Sequence, residues 1–265
     1  MRLAFSTLGV PTLPVEQVVR LASEHGYHGV ELRASDEGPV HTGLSAGERA
    51  RVVEQFAASG IAILTVASYA KVAAPGDDEP VLDEIGAAMT LAADLGASFV
   101  RVFPGGRDLP AREADALAAR RLAAVAPIAG DLGVRVLLET HDSHRSGADV
   151  ARVLGPVGHR AVGAIWDLMH TWLAGEQPSS TYPAIAPHLG YVQVKDIASA
   201  TDTTPLALGA GVLPLAETVE VLSRAQWDGW LCWEYEKRWY PEAAELPDLL
   251  GPAQEHLTRL LSESA

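Results

Sequence analysis

Four oxygen-bearing side chains stand where apolar runs of the sequence give out. Glu139 ends VRVLLET (134–140), Asp167 ends VGAIWDL (162–168), Gln193 lies in GYVQVKD (190–196) and Glu234 in WLCWEY (230–235). Three carboxylates and an amide oxygen form the hard donor set that Mg2+ or Mn2+ prefers, whereas a structural zinc site asks for thiolates and imidazoles. Brought together without a cation, the carboxylates would repel one another and at least one would take up a proton. Around them lie His141, His144 and His170, the cations Arg101 and Lys195, and the acids Asp196 and Glu236. Any one of these has an ordinary use: a histidine satisfied within a loop, an aspartate that pairs with the neighbouring lysine or caps a turn. Glu236 falls two residues beyond Glu234 and is left outside the predicted set.

Such residues can meet only if the strands that carry them are neighbours. Eight strand-like runs, 3–8, 29–33, 61–67, 98–104, 134–140, 162–168, 190–196 and 230–235, alternate with segments of helical apolar spacing such as Val15, Val18, Val19 and Ala22. Most runs are continuously apolar, the pattern of strands buried on both faces of a parallel sheet. Glycines at Gly26, Gly60, Gly96, Gly133, Gly190 and Gly229 sit at the helix-to-strand joints, where a left-handed residue ends a helix cheaply. Eight strand–helix pairs with no linker predict one α/β domain over residues 1–265, a single (β/α)8 TIM barrel. No GxGxxG follows the first strand, so a dinucleotide site has no support. Barrels of this kind place their chemistry at the C-terminal strand ends, where the four oxygen donors fall.

Composition narrows the function further. At 48% hydrophobic and 20% charged, the chain can bury a large core. A net charge of −14 argues against nucleic acid, whose affinity for proteins comes largely from lysine and arginine. The single cysteine, Cys232, can form no internal disulfide, and the opening residues carry neither a leader pattern nor a membrane-spanning run; the expected location is the cytoplasm.

The segments ETHD (139–142), WDLMH (166–170), VQVKD (192–196), LGAGVLPL (208–215) and DGWLCWEYEK (228–237) resemble, in order and spacing, the sugar phosphate isomerase/epimerase family of xylose isomerase-like barrels. LRASDEGPVH (32–41), LAADLGASFVRVFPGG (91–106) and WYPE (239–242) extend the resemblance over nearly the whole chain. It implies one divalent ion, Mn2+ or Mg2+ ahead of Zn2+ or Co2+, held by Glu139, Asp167, Gln193 and Glu234. Most relatives carry histidine where this chain has Gln193; hydroxypyruvate isomerase and its close relatives resemble it in using glutamine. The endonuclease IV branch gathers further histidines on strands three and four, where this chain has Ser68, Tyr69 and Phe103.

The resemblance further implies an isomerase or epimerase of a small sugar or hydroxy-carbonyl compound. The reaction would remove a proton beside a carbonyl through a metal-stabilised enediolate, with Glu139 and Glu234 as base and acid. His170 and His141 would bind substrate hydroxyls, Lys195 and Arg101 would offer charge to an anionic group, and Arg33 is a weaker candidate. Trp166, Trp172, Trp233 and Trp239 are candidate walls for a sugar ring. Two alternatives remain: a dehydratase that eliminates water from the same enolate, and a non-catalytic sugar-binding barrel. Expected partners are a small sugar-like substrate and neither nucleic acid nor membrane, while exposed tryptophans near the C-terminal loops would suit a homodimer contact.

Overall fold

All eight apolar runs become parallel strands in the computed structural model, which describes residues 1–264. They are β1 (Arg2–Ser6), β2 (Gly29–Arg33), β3 (Ala62–Lys71), β4 (Phe99–Phe103), β5 (Arg135–Glu139), β6 (Val162–Asp167), β7 (Leu189–Val194) and β10 (Trp230–Trp233). Between the last two lies a short antiparallel hairpin, β8 (Ile197–Ser199) and β9 (Asp202–Pro205), which the sequence patterning does not announce. The helices are α1 (Val15–Glu24), α2 (Ala46–Ser59), α3 (Asp78–Leu95), α4 (Ala111–Asp131), α5 (Gly147–Val157), α6 (Leu168–Leu173), α7 (Pro178–Ile185), α8 (Leu215–Arg224) and α9 (Leu246–Glu263). The strands close in the order β1-β10-β7-β6-β5-β4-β3-β2, so the predicted (β/α)8 barrel is the fold.

Alternation along each strand sorts its side chains between two compartments. Leu137, Ile165, Tyr191, Trp230 and Cys232 fill the barrel with Ala4 and Leu64, while Val136, Leu138, Ala164, Trp166, Val192 and Trp233 join the larger layer beneath the helices. Trp166 and Trp233 are completely buried there, so they are not walls of an open pocket. Continuing the inward parity upward gives Glu139 after Leu137, Asp167 after Ile165, Gln193 after Tyr191 and Glu234 after Cys232. In register Asp167 pairs with Gln193, while Glu139 pairs with Ile165 and Gln193 with Cys232, so all four donors fall at the C-terminal ends of adjoining strands.

Four of the six joint glycines cap as expected, with φ of 71° at Gly26, 66° at Gly60, 69° at Gly96 and 72° at Gly133. Gly190 and Gly229 do not adopt that conformation. A Cβ at Gly190 would collide with Leu137 inside the barrel, and one at Gly229 with the Trp227 ring, so close approach excludes a side chain at these two positions.

Two buried charged residues shape the rim. Arg121 on α4 is wholly buried and donates to Asp78 Oδ1 (2.8 Å) and to the carbonyls of Val72, Ala74, Gly76 and Asp77, fixing the connection from β3 to α3. Asp196, just after β7, accepts four backbone N–H groups: Ile197 (3.0 Å) and Leu213 (3.1 Å) on Oδ1, and Gly209 (3.0 Å) and Gly211 (2.8 Å) on Oδ2. It is therefore the turn-organising residue of the LGAGV loop and makes no pair with Lys195. Among the described residues, no helix is long and apolar enough to cross a membrane.

Candidate metal centre and active site

At the C-terminal mouth of the barrel, Glu139, Asp167 and Glu234 each present a carboxylate oxygen within 4.8 Å of the others, and all three residues are buried. Asp167 is held by its own helix. Its Oδ1 caps α6 by accepting from Met169 N (2.8 Å) and His170 N (3.2 Å), which turns Oδ2 to other use. Thr140 completes the clamp, its Oγ1 accepting from Asp167 N at 2.8 Å.

Gln193 is fixed by a neighbour that sequence reasoning missed. Glu31 on β2 is fully buried, and the Tyr191 hydroxyl donates to it. The Gln193 amide nitrogen donates to Glu31 Oε2 (3.2 Å) and to Glu234 Oε1 (3.1 Å). Reversing the amide would set its oxygen against two carboxylates, so the orientation is decided, and Oε1 is left without a donor. The overlooked signal is an acid at an inward position of an otherwise apolar strand, GVELR.

Two cations serve this acidic floor. Arg101 lies 3.1 Å from Glu234 Oε1 through Nη1 and 3.5 Å from Glu139 Oε2 through Nε. Lys195 Nζ reaches Asp167 Oδ2 (2.7 Å), Glu234 Oε2 (2.5 Å) and Glu236 Oε1 (2.8 Å). Glu236 thus belongs to the site after all. Burial alone would depress the Lys195 ammonium, but Asp167, Glu234 and Glu236 hold it well above the usual lysine range. Arg101 is likewise raised by Glu139, Glu234 and Glu31 against the pull of burial.

Five carboxylates nevertheless share these two cations. Burial raises Glu139 well above the usual carboxylate range, Arg101 opposing and the charges of Glu234 and Asp167 adding to it. Burial and then Glu234 raise Glu31, and burial raises Glu236 against the pull of Lys195. Glu139 Oε2, Asp167 Oδ2 and Gln193 Oε1 are buried oxygens with no aligned hydrogen-bond donor. Surplus negative charge and the unpartnered Gln193 oxygen are what a divalent cation would relieve, with the Lys195 ammonium, 2.7 Å from Asp167 Oδ2, giving way to it; these residues fit one.

Above this floor opens a cavity of about 430 Å3 lined by Glu139, Glu234 and Glu236, by His141 and His170, and by Phe103, Tyr69, Met169 and Trp239. Of the expected aromatic walls only Trp239 lines it; Trp172 is partly buried against the core. The predicted substrate-binding residues Arg101, His141 and His170 also line it, whereas Lys195 lies beneath, taken up by three carboxylates. Arg33 lines an adjoining cavity that shares Tyr69 and Trp239 with the first. His144 is excluded from the site: its Nε2 meets Asp115 Oδ1 at 2.9 Å and its backbone pairs with His141 to close a tight turn.

His170 carries a testable consequence. Burial first, then the charges of His141 and Lys195, hold its imidazole well below the usual histidine value. The unfolded chain takes up a proton near pH 6.5 that the folded protein refuses, so the associated stability is complete above that pH and is lost as pH falls, by up to about 1.4 kcal/mol per unit. Because the raised carboxyls of Glu31, Glu139 and Glu236 act in the opposite sense, the effect is read as a difference: urea unfolding of the metal-free wild type and of His170→Asn between pH 7.5 and 5.5 is expected to differ by this slope, and equal slopes would contradict the assignment.

The sequence model of the xylose isomerase-like TIM barrel family matches residues 19–260. No curated protein matches the sequence. Similar solved structures include the probable 3-DHS dehydratase AsbF from Bacillus anthracis, 18% identical with a TM-score of 0.82 over 97% of this chain and 99% of that one. The IolI protein with a bound zinc atom is 17% identical, with a TM-score of 0.83 over 100% and 99% of the two chains. A D-psicose 3-epimerase in the presence of D-fructose is 14% identical, with a TM-score of 0.84 over 98% and 99%. At such identities these structures report the fold alone.

Proposed function

Because the chain belongs to the xylose isomerase-like TIM barrel family, we propose that it is a divalent-metal-dependent isomerase or epimerase of a small sugar or related hydroxy-carbonyl compound. The observation that carries this reading is the convergence of the buried carboxylates of Glu139, Asp167 and Glu234 beneath one cavity. Solved structures of similar fold named as sugar epimerases, among them the D-psicose 3-epimerase and an L-ribulose 3-epimerase, support it.

Glu139, Asp167, Gln193 and Glu234 would hold the ion, Mn2+ or Mg2+ before Zn2+ given four oxygen donors. When bound, it supplies a Lewis acid for a carbonyl oxygen and the hydroxyl beside it. The protein's own part is proton management. Glu139 and Glu234 flank Arg101, so a substrate laid over the guanidinium has a carboxylate on either side, one to take a proton from carbon and one to return it. Burial raises the Glu139 carboxyl and a bound cation would lower it, the opposing influences by which a site tunes a carboxylate for general acid–base work. His141 and His170 face substrate hydroxyls. Phe103, Met169 and Trp239 shield the reacting carbons from water. A small-molecule substrate is the expected partner; neither nucleic acid nor membrane is.

The test is incubation with Mn2+ or Mg2+ and a panel of ketoses and keto-polyols in D2O, followed by NMR. Deuterium appearing on the carbon beside the carbonyl, with an isomer accumulating, is the expected result. An unsaturated product formed with loss of water would assign the dehydratase reaction instead. Absence of exchange in every compound, together with absence of divalent-ion binding, would leave the sugar-binding barrel.

A further inference from the structure

The mouth of the barrel holds a second set of donors. Glu139, His141 and His170 each offer a ligand atom within 4.8 Å of the other two. We propose that these three residues form a separate cation site, selective for a borderline transition ion such as Zn2+ or Co2+, with Glu139 shared between it and the oxygen cage below. The proposal stands on this geometry and does not depend on the isomerase reading.

The donor types argue for the ion. Two imidazoles and one carboxylate, with remaining positions open to a cavity, make up the ligand set of open zinc sites, and imidazole nitrogen favours Zn2+ or Co2+ over Mg2+. Two donors about 2.1 Å from one ion can lie no more than about 4.2 Å apart, so small side-chain rotations close the set. The two rings already pack together, centroids 4.0 Å apart, with His141 backed by Phe103 at 4.6 Å. No protein group among the described residues hydrogen-bonds the His170 ring.

An independent feature points the same way. Asp142 Oδ1 lies 2.9 Å from His141 Nδ1. The pair is not aligned for a hydrogen bond; a ring rotation on ion binding would let the carboxylate take the Nδ1 proton and leave Nε2 with its lone pair, the arrangement that commonly backs a metal-bound histidine. Asp142 reaches this place with φ of 45°, a left-handed conformation that costs a non-glycine residue about 1 kcal/mol or more and persists where the surroundings impose it. The tight turn between His141 and His144 imposes it here. Cavity charge is also favourable: Glu139, Asp142, Glu234 and Glu236 outnumber Lys71 and Arg101. An ion so placed occupies the space in front of both imidazoles, so it would compete with any ligand that uses them.

Co2+ titration of metal-free protein, followed by calorimetry and visible d–d absorption, tests the site. The wild type is expected to bind two equivalents, one of them giving the intense band of a low-coordinate, imidazole-bound ion. His141→Gln and His170→Gln, made separately, should each abolish that band and leave one equivalent bound. Asp142→Asn should weaken the second equivalent by about tenfold or more, with Mn2+ binding to the oxygen cage changed less than twofold. A single equivalent in the wild type, or a second that survives both histidine substitutions, overturns the proposal. Failure of the oxygen cage would instead appear as loss of Mn2+ binding with the histidine-dependent cobalt band intact, so the two readings fail separately.

Discussion

Replacing Glu139 by glutamine is expected to cut solvent deuterium exchange into the substrate by about a thousandfold or more, without unfolding the protein. General acid–base catalysis alone contributes about 10²–10⁴, and the same change weakens the cage that would hold the cation. Glutamine keeps the shape of the side chain and removes a charge from a floor where four carboxylates pair with Arg101 and Lys195. The sign of the stability effect follows from the raised Glu139 carboxyl. A group whose folded value lies above its unfolded value costs stability as pH rises between the two, so removing it costs nothing on that account at neutral pH. NMR exchange rates and a melting curve at pH 7 check both parts. Retained exchange would remove Glu139 from catalysis, and a fall in Tm of many degrees would make it structural.

The largest effect on stability is expected at Asp196. Its two oxygens accept four N–H groups from Ile197, Gly209, Gly211 and Leu213. Asp196→Ala removes the acceptor from all four; Gly209 and Gly211 are exposed, so the cost of about 1–3 kcal/mol per buried unsatisfied donor falls on Ile197 N and Leu213 N. Water reaching the loosened loop recovers part of this, leaving a loss of about 4 kcal/mol, or roughly 10 °C in Tm for a chain of this size. Asp196→Asn should be nearly as harmful, since its NH2 group would face two N–H donors. Scanning calorimetry reads both variants, and a shift below about 2 °C would show that the loop holds itself. Activity should also fall, because the loop packs beside the β8–β9 hairpin, which brings Thr203 into the cavity.

The barrel could be read from the sequence because parallel strands buried on both faces leave a one-dimensional signature. Runs such as VRVLL and VGAIW need no knowledge of their neighbours to be recognised, and Gly60 and Gly96 mark helix ends by a purely local conformation. Gly190 and Gly229 look identical in sequence, yet they answer to Leu137 and Trp227, contacts that exist only once the barrel has closed. The oxygen donors were legible for the same local reason, a polar residue at the end of an apolar strand. Glu31 was not, because it lies within β2 and gains its meaning from Tyr191 and Gln193, which follow it by 160 and 162 residues. Trp166 and Trp233 misled because strand-end proximity says nothing about which face a residue takes, and parity sends both under the helices. Lys195 was expected to meet an anionic substrate; the fold shows instead that three carboxylates meet it first.

Glu139, Asp167, Gln193 and Glu234 are proposed to hold one ion at the C-terminal mouth of the barrel. Crystals soaked in Mn2+, with diffraction recorded at the manganese edge, test it directly. An anomalous peak is expected about 2.0–2.3 Å from a carboxylate oxygen of Glu139, Asp167 and Glu234 and from Gln193 Oε1, with Lys195 Nζ displaced from Asp167. No peak, with the Lys195 ammonium still seated between Asp167 and Glu234, would contradict it.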